Sequence, residues 1–254
     1  MPARRTNTLR SKLVGTIRKS ARRNDIIALA ALIAIPAIAI GIPALLGHPL
    51  LIGDDLRQGF PLRVLAGYDI AHGHLPLWNP YIWSGTPLLG SFVAGSFYPT
   101  ILLFAILPPL TAWTFSMIIA YGICASGTYL LARKIGLATI PSFLASATFT
   151  FFGVMSFQVI HIEIVDGYSW IPWFLLGIEG LASALHGSTL DDRTPNNPTS
   201  SSPPLDTPAP DSNIPNNNST QRRRLAGWTA LAAFAAGMAA LSGSPDSLKE
   251  LAIA

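Results

Sequence analysis

Two adjacent carboxylates, Asp54 and Asp55, stand just beyond an uncharged apolar run, residues 26–47. A carboxylate that is partly out of water and beside a second one is pushed toward the range of a general base, and such a pair can also ligate a cation. The competing reading is two solvated acids at a helix N-terminus, where they stabilise the dipole. Spacing alone leaves both open. Arg57, Gln58 and Arg63 follow at once, and an arginine fork suits a phosphate. The same arginines suit snorkelling from an interfacial helix. A second short polar segment supplies His161, Glu163 and Asp166, placed either to face the same cleft or simply to be solvated. Trp78, Asn79 and Trp83 complete the candidate set, the tryptophans as interface anchors or as platforms for a sugar. His72 and His74 form a weak H-x-H metal signal, and no P-loop, G-x-S-x-G or H-E-x-x-H pattern occurs.

These residues need a scaffold, and composition points to a membrane. Of 254 residues 50% are hydrophobic and 12% charged, with mean hydropathy +0.43. Soluble domains carry about 25% charged residues. The lone Cys124 lies within an apolar run and is expected to be a packing residue, without a disulfide framework. The expected class is an all-α integral membrane protein with about five transmembrane helices and an interfacial amphipathic helix in a large first outer loop.

Residues 1–25 form a basic cytoplasmic arm with one acid, Asp25. The membrane domain, 26–185, holds spans at 26–47 (kinked at Pro36), 110–132, 138–158 and 167–185. Pro108-Pro109 cuts off a short apolar piece after Phe97, expected to be re-entrant or interfacial. The outer loop covers 48–98. Within it, 55–71 places Leu56, Phe60, Val64 and Tyr68 on one stripe, with Pro61 resetting the first turn. Residues 186–224 are rich in Pro, Ser and Asn and are expected to be a disordered cytoplasmic linker. A fifth span, 225–241, begins the last segment, 225–254, whose closing LAIA is expected to open a further apolar run. Fourteen of the 17 basic residues fall on the side assigned to the cytoplasm. That distribution predicts a cytoplasmic N-terminus and accounts for the net charge of +4 without a nucleic-acid partner.

The segments GDDLRQGFP at 53–61, GHLPLWNPY at 73–81, GTPLLG at 85–90 and FYP at 97–99 are similar to the N-terminal part of bacterial YfhO-like membrane proteins. FQVIH at 157–161, WIPWFLLGI at 170–178 and SGSPD at 242–246 add to the likeness. The resemblance implies a multi-pass glycosyltransferase of the GT-C architecture in the bacterial plasma membrane. It would transfer a sugar from a polyprenyl-phosphate donor to a cell-envelope acceptor on the outer face. Asp54 or Asp55 would be catalytic, and a divalent cation, if one is used, would sit on them. A lipid or solute transporter or flippase component, and a non-catalytic scaffold, are the rival classes.

Overall fold

A computed structural model describes the backbone of residues 3–191 and 217–242 and the side chains of 22–186 and 220–242. Its long helices follow the apolar runs. Helix α1 (Ala3–Leu45) continues through Pro36 and Pro43. The basic arm is therefore the first part of the same helix, as a stretch without proline between Pro2 and Pro36 allows. A π-turn (Asp55–Gly59) leads into α2 (Phe60–Ala71), whose second residue, Pro61, sits where a missing N–H costs nothing. A two-stranded hairpin, β1 (Trp78–Asn79) and β2 (Thr86–Pro87), and a 3₁₀ turn (Phe92–Ala94) fill the rest of the loop. Then come α3 (Ile101–Ile106), α4 (Pro109–Lys134), α5 (Thr139–Phe151), α6 (Val154–Phe157), α7 (Ile162–Tyr168), α8 (Ile171–Asp191) and α9 (Asn217–Leu241). The break before α4 falls at Pro108, which has extended backbone geometry and cannot continue a helix.

Four described helical segments are long and apolar enough to cross a membrane: Arg22–Leu45, Pro109–Lys134, Thr139–Phe157 and Thr220–Leu241. Helix α8 stands where the fourth span was expected. It extends to Asp191, and α9 begins at Asn217, so both ends of the expected linker are helical. The linker's remainder, 192–216, and the final segment, 243–254, lie outside the described residues.

Helix α4 is the centre, packed against α1, α3, α5, α7 and α8. Its buried positions include Ala112, Ser116, Ala120, Cys124, Ala125 and Gly127, small side chains that let neighbouring backbones approach. Two indoles tie the packing to backbone carbonyls, and Trp173 reaches its own by lying over Gly127. Trp113 donates to the Leu50 carbonyl (2.8 Å) and Trp173 to that of Ile123 (2.9 Å). At the opposite end of the candidate span Arg22–Leu45 from the 53–99 loop, Asp25 accepts hydrogen bonds from Tyr129 (2.7 Å) and Thr139 (3.0 Å) and pairs with Arg133 (3.1 Å). The lone acid of the basic arm thus brackets α1, α4 and α5 together.

Helix α2 covers most of the expected interfacial stretch, with its stripe divided between core and surface. Asp55, Gly59, Arg63, Ala66 and Gly67 are buried, whereas Leu56 and Tyr68 are exposed. Arg63 and Asp55 pack inward, Phe60 and Val64 are half-buried against the core with Phe60 edge-on to Trp113 (5.7 Å), and only the ends of the stripe, Leu56 and Tyr68, stand clear of it. Close approach to α3 requires Gly67, because a Cβ there would lie 2.4 Å from Phe104 Cβ and 2.7 Å from the Phe104 carbonyl carbon. No side-chain rotation relieves a backbone clash. Gly67→Ala should therefore destabilise the protein by at least about 1–3 kcal/mol, read as a lower melting temperature in detergent. Gly122→Ala, with open space around its Cβ, should be neutral or gain up to about 1 kcal/mol of helix propensity. Equal melting temperatures for the two variants would show that α2 and α3 are not in register as described.

Candidate functional site

The two adjacent acids part company. Asp54 is 63% exposed, and its carboxylate lies 3.3 Å from His161 Nε2. Asp55 is 2% exposed, and its Oδ1 accepts the Ile162 backbone N–H (3.1 Å) at the start of α7. Successive residues of a helical turn point about 100° apart, so neighbours on the π-turn cannot share one direction. The Asp55 carboxylate also fills the space over Gly59, where a Cβ would sit 2.5 Å from Oδ1.

Behind Asp55 lies a buried polar cluster. Arg63 Nη2 donates to Asp166 Oδ2 at 2.9 Å, with both side chains essentially out of solvent. Glu163 is buried one turn before Asp166 on α7. Gly95, in the left-handed region, lets the chain pass over the guanidinium, since a Cβ there would lie 3.2 Å from Arg63 Nη2. Asp55 Oδ2, Glu163 Oε2, Asp166 Oδ1 and Arg63 Nε have no hydrogen-bond partner among the described residues. Three carboxyls thus face one guanidinium. Burial drives the Asp55 carboxyl up to about 7, assisted by the Glu163 charge and opposed by the Ile162 N–H and Arg63. Burial likewise raises Asp166 to about 6, against the pull of Arg63.

His161 joins the surface to this cluster. Its Nδ1 lies 3.0 Å from Gln158 Oε1 and its Nε2 faces Asp54. The ring thus stands between the Gln158 amide and the Asp54 carboxylate and orients the latter.

Beside the π-turn runs an open groove of about 750 Å³. Phe60, Pro61, Val64, Leu65 and Tyr68 line one side, with Tyr81, Ile82 and Trp83 also contributing, and Arg57, Gln58 and Asn79 supply its polar groups. The stripe of α2 is therefore part of its lining. Asn79 has a structural task too, its Oδ1 accepting the Tyr81 N–H (2.9 Å). Trp78 lies over Gly85 instead, its ring 2.4 Å from where a Cβ would stand.

Asp55, Arg63, Glu163 and Asp166 are thus brought together inside, Asp54 and His161 at the surface, and Arg57, Gln58, Asn79 and Trp83 along the groove. Sequence reading missed Gln158, signalled only by its i, i+3 spacing from His161. It also missed the buried Tyr98, whose hydroxyl accepts the Trp170 indole N–H (3.0 Å) and whose ionisation burial opposes. Among the described residues no three His, Cys, Asp or Glu side chains converge as a metal site. Asp54 and Asp55 diverge, so they do not fit a shared cation, and His72 instead contacts the Tyr68 carbonyl and ring.

No protein-family model, curated protein or solved structure matches the chain. What the coordinates define is a mostly helical chain with four candidate membrane-spanning helices and almost no strand.

The raised carboxyls set a pH dependence. Both hold their protons more tightly folded than unfolded, so folding takes up protons and stability falls as pH rises from about 4 through about 7. Thermal melts should show a more stable protein at pH 5 than at pH 8. Asp55→Asn retains an acceptor for Ile162 N–H and removes the charge, so it should flatten the slope and stabilise the protein at pH 8 by a few kcal/mol. An unchanged slope in Asp55→Asn would place the titration elsewhere.

Proposed function

We propose that the chain is the membrane portion of a glycosyltransferase of GT-C type, resembling the YfhO-like proteins. It transfers a sugar from a polyprenyl-phosphate donor to a cell-envelope acceptor at the outer face of the bacterial plasma membrane. In this reading α8 makes a fifth crossing and the N-terminus is cytoplasmic, as the placement of basic residues favours. One observation carries the proposal: a solvent-reachable carboxylate, Asp54, oriented by His161, lies in the same turn as two groove residues, Arg57 and Gln58. A groove with mostly apolar lining and a few polar groups suits an amphiphile with an anionic head.

The reaction assigns each group a task. The acceptor hydroxyl gives its proton to Asp54 while its oxygen bonds to the anomeric carbon. The bond from that carbon to the donor phosphate oxygen breaks, and the electron pair leaves on the phosphate, whose charge Arg57 meets with Gln58 beside it. Arg63, engaged by Asp166, passes the phosphate role to Arg57 and anchors α2. Asp55, Glu163 and Asp166 hold the loop on α7. Trp83 and Asn79 shape the groove.

The test separates the neighbouring acids. In native membranes supplied with polyprenyl-phosphate-linked sugars, Asp54→Asn should reduce transfer by roughly 10²–10⁴-fold with insertion unchanged. Asp55→Asn should retain transfer, and Arg57→Ala should mainly raise the donor KM. Full transfer by Asp54→Asn would remove the catalytic assignment. Substrate crossing the bilayer without any sugar transfer would favour the transporter class instead.

A further inference from the structure

Between His74 and Arg133 the chain contains no Asp, Glu, Lys, Arg or His. The later part of that run is α3 and the candidate span α4, but the first part is the hairpin and the 3₁₀ turn. Surfaces that meet water carry charges of both signs and few contiguous apolar side chains. This one presents Trp83 at 90% exposure, Tyr81 at 81%, Phe92 at 66% and Ile82 at 43%.

The hairpin tip is also built to hold that display. Trp78 pairs with Pro87 and Asn79 with Thr86, and the Leu88 N–H donates to the Leu77 carbonyl (2.9 Å). The Gly85 N–H closes the turn on the Ile82 carbonyl (2.8 Å), and the Asn79 side chain holds the Tyr81 N–H. Trp83 and Ser84 both occupy the left-handed region, φ 53° and 61°, a conformation that residues other than glycine avoid. The surrounding bonds impose this conformation, and the indole is left almost wholly exposed.

We infer that the tip of this hairpin, Tyr81, Ile82 and Trp83, is a membrane wedge seated at the headgroup–acyl boundary of the leaflet beside α3 and α4. Three observations select lipid as the occupant. The uncharged run continues without a break through exposed Leu102 and Ile106 of α3 into a helix fit to span a bilayer. A tyrosine and a tryptophan flanking an isoleucine combine apolar bodies with polar tips, the composition of the interfacial belt. A protein partner's site would carry a polar rim with arginine enriched, whereas residues 75–132 carry no charge and Arg57 of the neighbouring π-turn is the one arginine among the described lining of the adjoining groove. It follows that insertion depends on neither anionic lipid nor salt, unlike a basic amphipathic anchor. The inference rests on no catalytic assignment.

The test uses the full chain in a Cys124→Ala background, with a nitroxide at Trp83→Cys, at Ile82→Cys or at His74→Cys, where the charge-free run begins. The proteins are reconstituted in vesicles of phosphatidylcholine alone or mixed with phosphatidylglycerol. Labels at 82 and 83 should be relaxed by oxygen more than by a water-soluble nickel chelate, at a depth of about 5–10 Å. The result should be the same in both lipids and at low and high salt, while the label at 74 reads as aqueous. Nickel accessibility at 83 equal to that at 74 would overturn the wedge. So would shielding from both reagents, which would mean that protein covers the tip. A second measurement avoids the cysteine variants: brominated phosphatidylcholine should quench wild-type tryptophan fluorescence more than that of Trp83→Phe. Equal quenching would also reject the inference.

Discussion

The ion pair between Arg63 and Asp166 constrains more of this molecule than any other contact. Both side chains are almost entirely out of solvent, and each retains a polar atom without a partner among the described residues. Taking two charges out of water costs more than their attraction readily returns, so the pair is weak evidence for net stability. Its effect is on geometry, because an arginine buried without its carboxylate would be far worse than the pair. Once Arg63 faces inward to Asp166, the face of α2 bearing Asp55, Gly59 and Gly67 must face inward too. Phe60 and Val64, half-buried against the core, and the exposed Tyr68 then line the groove. Orientation of the loop follows from one pair.

The same constraint divides two acids that look equivalent in the sequence. Asp55 follows Arg63 inward, is fixed by the Ile162 N–H, and meets Glu163 in a pocket with more carboxyls than cations. Retained protons relieve that imbalance, and the upward shifts of Asp55 and Asp166 are its signature. Asp54, one residue earlier, is left in solvent with His161. A general base must reach its substrate, so the accessible acid is the better candidate.

Much of the architecture was legible from composition. The uncharged stretch 110–132 lies within α4, Pro108-Pro109 separates α3 from it, and Pro61 marks the start of α2. Hydrophobic length and proline chemistry are local properties, readable without tertiary information. Periodicity located the stripe of α2 but not the side on which the protein lies. A period carries phase relative to the helix, not to its surroundings, so it could not tell that Phe60 and Val64 pack on the core while Leu56 and Tyr68 stay exposed. Asp25 shows the same limit: its partners Tyr129, Arg133 and Thr139 are more than a hundred residues away, and nothing near it announces them. The candidate residues were read from the sequence as chemical types only, and their division among interior, lip and groove needed distances.

In the 53–99 loop, Asp55 and Arg63 are buried while Tyr81, Trp83 and Phe92 are exposed, an inversion of the usual placement, with Asp54 and Arg57 left at the surface. Against water, such an arrangement loses twice, once in desolvating Asp55, Arg63, Glu163 and Asp166 and again in exposing Tyr81, Trp83 and Phe92. Against lipid the signs change. The exposed aromatics gain a medium that accepts them, and the ions lose nothing by turning inward, since hydrocarbon offers no better solvation than the protein interior. The buried pair and the charge-free hairpin can therefore be read as two responses to one environment. That economy favours a loop lying at the bilayer boundary over one standing clear of it, because only the former accounts for both with a single cause.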